Sequence, residues 1–296
     1  MQNLKAAALV VLVLASASCW GQSKTTPVAP NATAELLAQE FTFTEGPASD
    51  RQGNVYFTDQ PNNKIYVWTT DGKLKLFRDN AGRSNGLYFD KNGNLLACAD
   101  ENNQLWSISP NGSERVLLSN TNGKRMNGPN DLWIAPKGAI YFTDPYYERP
   151  YWKRGPQEQH ENVYLLTTKG VVQCVDSTLN KPNGIVGTPD GKKLYVADIG
   201  AGKTYVYQIG KDGKLSSKQL FADKGSDGMT IDSKGNIYLT GDGVWIYSKE
   251  GELLDHIKIN EDWTANVCFG GKDNSTLFIT AMKSLYSIKM RVKGVK

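Results

Sequence analysis

Short runs of apolar and aromatic residues recur along the chain, separated by turns that contain Gly, Asn and Asp. Residues 55–57, 65–68 and 74–77 form the first group of such runs, and similar groups follow to the C-terminal end. Runs of this length, rich in β-branched and aromatic residues, predict β-strands. The chain is therefore expected to be all-β.

The groups of strands repeat six times. In each copy an acidic or amide residue lies 8 positions before a turn residue, and successive turns are 40, 45, 53, 44 and 39 residues apart. The turn residues are Gly53, Gly93, Gly138, Gly191, Gly235 and Asn274. Gly, and Asn as second best, tolerates the positive φ of a tight hairpin. Four strands per repeat predict the blades of a six-bladed β-propeller.

The last copy lacks a clear fourth strand, whereas the apolar run at residues 36–41 precedes the first copy and has no assigned place. We expect this N-terminal strand to complete the last blade and close the ring, because closure removes an exposed sheet edge. The propeller is thus predicted to span residues 36–296.

Residues 1–19 predict a signal peptide, with Lys5 followed by an apolar run at 6–15 that is too short to span a bilayer. Ser16-Ala17-Ser18 followed by Cys19 resembles the bacterial lipoprotein signal, and lipidation of Cys19 or ordinary cleavage nearby both stay open. Residues 20–35 predict a flexible tether. The protein is expected to be exported, as a periplasmic, secreted or lipid-anchored protein whose only membrane contact is lipidation at Cys19.

Charge and cysteine content narrow the function classes. The net charge is +4 and the basic residues form no stripe along the sequence, which argues against nucleic acid as a partner. Cys98, Cys174 and Cys268 show no CxxC spacing, so we expect three small buried hydrophobic side chains.

The first strand of each propeller blade lines the central channel, so the residues 8 positions before each turn are expected to converge at one end of it. They are Glu45, Asn85, Asn130, Asn183, Asp227 and Asn266. Two carboxylates in one partly dry channel repel each other unless a cation lies between them. Oxygen donors of this kind suit Ca²⁺, Mg²⁺ or Mn²⁺, whereas Zn²⁺ normally recruits nitrogen or sulfur. Alternatively each side chain caps its own turn or binds channel water, the interpretation favoured for Asn85 and Asn266.

Several motifs at these positions resemble the SMP-30/gluconolactonase (regucalcin-like) family, in particular its bacterial gluconolactonase-like branch. In chain order they are Glu45-Gly-Pro, Gly-Pro-Asn130-Asp-Leu, Tyr141-Phe-Thr-Asp-Pro145, Pro182-Asn-Gly184 and Ser226-Asp-Gly-Met229. The resemblance covers residues 37–290. It implies a six-bladed propeller, one divalent cation (Ca²⁺ first, with Mg²⁺, Mn²⁺ or Zn²⁺ as alternatives) and hydrolysis of a small-molecule lactone or ester.

Carried over by motif, the resemblance makes Glu45, Asn183 and Asp227 the metal ligands and places Asn130 in the outer metal shell or on the substrate. Asp227 is also implied as the general base for a water that attacks a carbonyl polarised by the cation. Animal members carry an Arg two residues before the Asn-Asp pair that helps to bind sugar lactones. This chain has Gly128 there, so specificity for sugar lactones is not implied.

The longest repeat owes its length to a loop at residues 145–160, rich in aromatic and basic side chains. Long loops at a propeller mouth often carry specificity. We therefore predict substrate contacts from Tyr146, Arg149, Trp152 and His160; the alternative is an insertion that packs on its own blade. Asp144, just before the loop, is predicted either to face the mouth and contact substrate or to cap a turn.

Two other functions remain open from the sequence. A non-catalytic propeller could bind sugars or protein partners at the cell surface or in the periplasm, because a fold does not determine a function. A condensation chemistry similar to that of strictosidine synthase would not need the acidic metal set.

Overall fold

The computed structural model describes residues 25–295 of the 296-residue chain. The predicted signal peptide at 1–19 and residues 20–24 of the predicted tether lie outside this range. The described chain forms 24 β-strands and a short 3-10 helix, and the strands group into six antiparallel sheets of four. This confirms the prediction of an all-β, six-bladed propeller with four-stranded blades.

The strands follow one another with short connections, and each blade is built from consecutive strands. The N-terminal strand is β1 (Glu35–Ala38). Blade 1 contains β2 (Thr44–Ser49), β3 (Val55–Asp59), β4 (Lys64–Trp68) and β5 (Leu74–Asp79). Blade 2 contains β6 (Ser84–Phe89), β7 (Leu95–Ala99), β8 (Gln104–Ile108) and β9 (Glu114–Leu118), with the 3-10 helix Asp100–Asn102 after β7. Blade 3 contains β10 (Leu132–Ile134), β11 (Ile140–Asp144), β12 (Asn162–Leu166) and β13 (Val172–Asp176).

The remaining three blades repeat this pattern. Blade 4 contains β14 (Pro182–Gly187), β15 (Lys193–Asp198), β16 (Lys203–Ile209) and β17 (Leu215–Ala222). Blade 5 contains β18 (Met229–Ile231), β19 (Ile237–Gly241), β20 (Gly243–Tyr247) and β21 (Leu253–Ile257). Blade 6 contains β22 (Thr264–Gly270), β23 (Thr276–Ala281) and β24 (Ser284–Lys289).

Blade 6 is completed from the other end of the chain. Its strand order is β22-β23-β24-β1, so the predicted ring closure by an N-terminal strand is confirmed. The strand covers Glu35–Ala38, however, and ends before the predicted residue 41. Phe41 is buried instead, with its ring 5.1 Å from that of Phe57, because an apolar ring contributes more between blades 6 and 1 than at an outer edge.

Part of the predicted flexible tether is attached to the propeller. Val28 forms a β-bridge with Met290, Ala29 N–H donates to the carbonyl of Lys289 at 3.1 Å, and Pro27 is buried. This segment supplies hydrogen-bond partners for the backbone groups at and just after the end of β24, which would otherwise be unpaired. Residues 27–29 of the predicted tether are therefore bound to the end of blade 6.

The hydrophobic core lies between neighbouring blades rather than in the channel. The largest cluster joins blades 3, 4 and 5 and includes Trp133, Tyr195 and Ile237. Along the channel the inner strands approach closely, and Gly residues permit this. A Cβ at Gly228 would lie 1.9 Å from Cγ of Asn266 in the next blade. Polar side chains from different blades are thereby brought into contact.

The cysteine prediction is correct at two of three positions. Cys98 and Cys268 are buried, whereas Cys174 is exposed because it points away from the core on β13, the outer strand of blade 3. Across residues 25–295, none of the helical structure has the length and apolar character needed to cross a membrane.

Candidate active site at the channel mouth

The six positions predicted to converge lie at the beginning of the six inner strands. Five of them are buried, none more than 5 % exposed, whereas Asp227 is half-buried. Glu45, Asn183 and Asn266 belong to β2, β14 and β22, and Asn130 and Asp227 come two residues before β10 and β18. Because the inner strands are parallel around the axis, these side chains share one end of the channel, which we call the mouth.

Asp227 is held by neighbours on two sides. Asn183 Nδ2 donates to Asp227 Oδ1 at 2.8 Å, and Trp263 Nε1 donates to Asp227 Oδ2 at 2.6 Å. Asn183 Nδ2 also lies 3.2 Å from the hydroxyl of Tyr147. Asn183 Oδ1 is buried and has no hydrogen-bond partner among residues 25–295. The carboxylate of Asp227 is thus fixed in orientation, while a buried oxygen beside it is unpaired.

On the other side of the mouth, Glu45 contacts Asn266. Asn266 Nδ2 donates to Glu45 Oε2 at 3.3 Å, while Asn266 Oδ1 accepts from the N–H of Val267 at 2.8 Å. Asn266 therefore bonds to the backbone beside it, in line with the favoured interpretation, and it also contacts the carboxylate of Glu45. The side-chain oxygen of Asn85 is buried without a partner among the described residues. That Asn85 caps its turn or binds channel water stays a prediction.

Asp131 is a third carboxylate in the channel, which the sequence interpretation missed. It is 7 % exposed and accepts from the N–H of Leu132 at 2.9 Å. A Cβ at Gly86 would lie 2.6 Å from Asp131 Oδ1, so the absence of a side chain in blade 2 makes room for it. A signal existed: the residue after each channel position is Gly in four copies and Val in one, and Asp131 is the charged exception.

The buried carboxylates shift one another's ionisation. Burial first, and then the negative charges of Asp227 and Asp131, raise the pKa of Glu45 well above its ordinary value. Burial raises the pKa of Asp227 to about 6, opposed by its hydrogen bonds from Trp263 and Asn183. The pKa of Asp131 is raised to about 7, again chiefly by burial. The mouth therefore holds more negative charge than the surrounding protein neutralises.

This donor set fits a hard cation. Two carboxylates, a buried amide oxygen without a partner and raised carboxylate pKa values are what a divalent cation bound by oxygen would satisfy. Within residues 25–295 there is no group of three His, Cys, Asp or Glu side chains that could hold a metal ion. A cation here would consequently depend on Asn183 in addition to Glu45 and Asp227.

The loop at 145–160 reaches the mouth through Arg149, which was predicted, and through Tyr147, which was not. Tyr147 contacts Asn183, and the charge of Arg149 lowers the pKa of Asp227. Tyr146 and Trp152 pack within the loop, their rings 5.9 Å apart, and the side chain of Arg154 stacks on Trp152 at 3.5 Å. Tyr146 and Trp152 thus pack against other residues of the loop, and substrate contact by these two side chains stays a prediction.

His160 is exposed, and its backbone carbonyl accepts a 3.0 Å hydrogen bond from Asn127 Nδ2. Asp144 is fully buried. Its two oxygens accept from the N–H groups of Asn127 and Gly128, at 2.9 and 2.8 Å. Burial raises the pKa of Asp144 to about 7, against these two hydrogen bonds. Of the two roles predicted for Asp144, the geometry favours the capping one.

Asp100 anchors the loop and was also missed. Its carboxylate accepts from the Tyr151 hydroxyl and lies 3.4 Å from Nε of Arg149, and its carbonyl accepts from Trp152 Nε1 at 3.0 Å. A Cβ at Gly128 would lie 2.5 Å from Asp100 Oδ1. The place that an Arg at position 128 would occupy is therefore taken by the anchored loop. No sequence signal distinguished Asp100 from the other aspartates that end second strands.

Comparisons with known proteins agree with this fold and site. The family model described as the SMP-30/gluconolactonase/LRE-like region matches residues 43–283. A gluconolactonase of Zymomonas mobilis is 28% identical over 291 residues, which cover 88% of this chain and 82% of the relative. The solved structure of a gluconolactonase from Xanthomonas campestris is similar with a TM-score of 0.83 and 28% identity, covering 89% of this chain and 91% of that one.

A regucalcin from Agrobacterium tumefaciens, described as a calcium-binding protein, shares the fold with a TM-score of 0.75 at 19% identity, over 91% of this chain and 96% of that one. The family match extends over most of the propeller and includes every predicted metal ligand. The chain belongs to the SMP-30/gluconolactonase family.

Proposed function

We propose that the protein is a metal-dependent lactonase whose reaction takes place at the mouth. The observation that carries the proposal is the meeting of Glu45, Asn183 and Asp227, with an unpaired buried oxygen on Asn183 and raised pKa values on both carboxylates. The lactone-hydrolysing relatives support the reaction class. The proposed dependence on a metal is supported by the oxygen donors of Glu45, Asn183 and Asp227.

Glu45, Asn183 and Asp227 would hold the cation, and Asn266 keeps the Glu45 carboxylate turned toward them. When bound there, a divalent cation supplies Lewis-acid polarisation of the substrate carbonyl and favours the ionised form of both carboxylates. Ca²⁺ is the first choice because all the donors are oxygens, with Mg²⁺, Mn²⁺ and Zn²⁺ as alternatives.

Asp227 is placed to accept the proton of the attacking water. Without a cation, burial raises the pKa of Asp227 to about 6, and a bound cation would lower that pKa, so the carboxylate would be ionised and able to accept a proton at neutral pH. Trp263 and Asn183 each donate to one oxygen, so the carboxylate keeps one orientation and its remaining lone pairs face the mouth. The ring oxygen of the lactone leaves as an alcohol when the proton returns to it.

The loop supplies the substrate side. Arg149 is the strongest candidate of the predicted set. Its Nε lies 3.4 Å from the carboxylate of Asp100, and its positive charge lowers the pKa of Asp227. Its planar donors suit a hydroxyl or carboxylate on the substrate. Asn130, buried at the mouth, completes the polar wall. Substrate contacts by Tyr146, Trp152, His160 and Asp144 stay predictions.

The proposal is tested by removing and restoring the metal. Protein treated with chelator and then dialysed should open no lactone in a panel of sugar and simple aliphatic lactones, followed by acid release in a pH-stat. Addition of Ca²⁺, Mg²⁺, Mn²⁺ or Zn²⁺, one at a time, should restore turnover with at least one metal. Full activity in chelator would contradict the metal requirement, and no turnover with any metal would contradict the lactonase. Calorimetric binding of a lactone without turnover would favour the non-catalytic binding propeller.

A further inference from the structure

The end of the propeller opposite the mouth is lined by short turns, two from each blade. The first strand of a blade runs from the mouth to its first hairpin turn, and the third strand, parallel to the first, ends at the same side. The first hairpin turn of every blade carries an exposed basic residue. These residues are Arg51, Lys91, Lys137, Lys192, Lys234 and Lys272.

The second set of turns extends the same pattern. Five of the six segments that follow a third strand also carry exposed Lys or Arg. They are Lys73, Lys169, Lys211, Lys214, Lys249, Arg291 and Lys293. We call the thirteen residues of these two sets the basic face. In sequence they are isolated and look scattered, which is why the charge pattern gave no stripe; the propeller topology collects them.

Acidic residues in the same turns only partly offset this charge. There are nine, namely Asp50, Asp71, Asp90, Asp190, Asp212, Asp232, Glu250, Glu252 and Asp273. Several fold back onto their own turn: Asp50, Asp90 and Asp232 accept backbone N–H groups two residues on, at 2.8 to 2.9 Å. The basic face holds thirteen basic against nine acidic residues, whereas the other residues of 25–295 include 18 Lys and Arg against 21 Asp and Glu, so positive charge is concentrated at this end.

The N-terminal part of the chain is fixed at the same end. Pro27 accepts from the N–H of Arg291 at 2.8 Å, and Val28 pairs with Met290. Residue 25, the first described, therefore lies beside the basic face. Cys19, the predicted lipidation site, is six residues earlier, and six residues span at most about 20 Å. A lipid on Cys19 would lie close to these turns.

We propose that the basic face docks on an anionic phospholipid bilayer, with the mouth pointing away from the membrane. A polybasic surface adds electrostatic attraction to anionic lipids, and it can act together with a lipid anchor. Lys and Arg near a surface of anionic lipids gain from its negative potential, within about one Debye length. This inference rests on charge and topology and is independent of the proposed lactonase activity.

The experiment measures vesicle binding of the Cys19→Ala chain, which cannot be lipidated. Co-sedimentation with vesicles of phosphatidylcholine alone gives the baseline, including any contribution of the apolar run at 6–15. Vesicles that also contain phosphatidylglycerol should bind about tenfold more protein at low salt, and this gain should disappear as salt is raised.

Two quadruple variants with equal net charge locate the interaction. Lys91, Lys137, Lys234 and Lys272 are changed to Gln on the basic face, and Lys124, Lys203, Lys258 and Lys283 are changed to Gln at the mouth end. The first variant should lose most of the gain and the second should keep it. Equal loss in both, or no preference of the parent chain for anionic vesicles, would overturn the proposal. Retention on heparin at salt that abolishes vesicle binding would also overturn it, in favour of a soluble polyanion.

Discussion

The two ends of this propeller are built in opposite ways. At the basic face, six blades repeat a short turn with a basic side chain in solvent, and in blades 1, 2 and 5 an Asp side chain accepts from the backbone of the same turn. At the mouth, the blades differ: the loop after β11 is long, Asp131 replaces a Gly, and Trp263 stands three residues before a channel position, where the other blades have no aromatic residue. The residues that all blades repeat therefore maintain the fold, and the residues that differ between blades form the candidate site.

The sharpest test of this contrast uses two aspartates on one inner-strand segment of blade 5. Asp227 lies at the mouth, and Asp232 caps the far turn, accepting from Lys234 N–H, Asn236 N–H and the Tyr238 hydroxyl. We expect Asp227→Asn to lower kcat by about 10²- to 10⁴-fold, because the proton acceptor is lost. Its melting temperature should not fall, since a buried charge is removed.

Asp232→Asn is the matched control. It should keep kcat and lose about 1 to 3 kcal/mol of unfolding free energy, because an amide cannot accept all of these hydrogen bonds. Both variants are compared by steady-state kinetics and by denaturant unfolding. A loss of activity in Asp232→Asn as large as in Asp227→Asn would remove the distinction between the two ends.

Two glycines extend the contrast to backbone packing. Gly228→Ala places a methyl group 1.9 Å from Cγ of Asn266, so the inner strands must separate. We expect a loss of about 3 kcal/mol and a large fall in activity, because Asn266 and Asp227 are displaced together. Gly93→Ala, in a far turn with φ +83° and open space around it, should lose about 1 kcal/mol and keep kcat. Equal losses of activity would show that both ends couple to the site.

The chelated protein should have a stability that depends on pH in a defined direction. Burial raises the pKa of Asp131 to about 7 and of Asp227 to about 6, whereas an Asp in the unfolded chain has a pKa of about 4. The folded state thus holds protons that the unfolded state releases. Their contribution is fully present below about pH 4 and is lost as the pH rises through about 6 to 7.

We therefore expect the melting temperature in chelator to fall between about pH 5 and pH 8, and bound Ca²⁺ to flatten the curve by favouring the ionised carboxylates. Asp227→Asn in chelator should show a shallower fall than the parent chain. Calorimetric scans across this range decide the matter, and parallel curves with and without Ca²⁺ would mean that no cation binds among these groups.

The sequence predicted the features that all six repeats share, namely the blades and the channel positions. It missed residues that occur in one repeat only. The six turn residues located the blades and the channel positions, because each repeat sets the same register. Asp131 was visible as an exception to a Gly position, whereas Trp263 lies in a connection between blades whose sequence is not repeated. The sequence also did not predict that Cys174 is exposed or that the basic residues share one end of the propeller. Both features depend on the position of a strand in its blade and on how the blades close into a ring.

The last test concerns two aspartates, one at the end of a second strand and one directly after a second strand, whose carboxylates bind different partners. Asp198 in blade 4 accepts from Asn180 N–H and Ala201 N–H, at 3.0 and 3.1 Å, and so holds its own blade. Asp100 in blade 2 instead binds Tyr151 and Arg149 of the loop from blade 3. We expect Asp100→Asn to raise KM several-fold with little change in kcat, because Arg149 loses the anion that positions it.

Asp198→Asn should show the reverse, a loss of about 1 to 2 kcal/mol of stability with KM unchanged, because only turn hydrogen bonds are affected. The readout is the KM-against-kcat split for one lactone, together with unfolding in denaturant. If Asp100→Asn lowered stability and left KM as it is, Asp100 would be a turn cap like Asp198, and the loop would reach the mouth without it. A change confined to KM would instead identify the link between blades 2 and 3 as the element that tunes substrate binding.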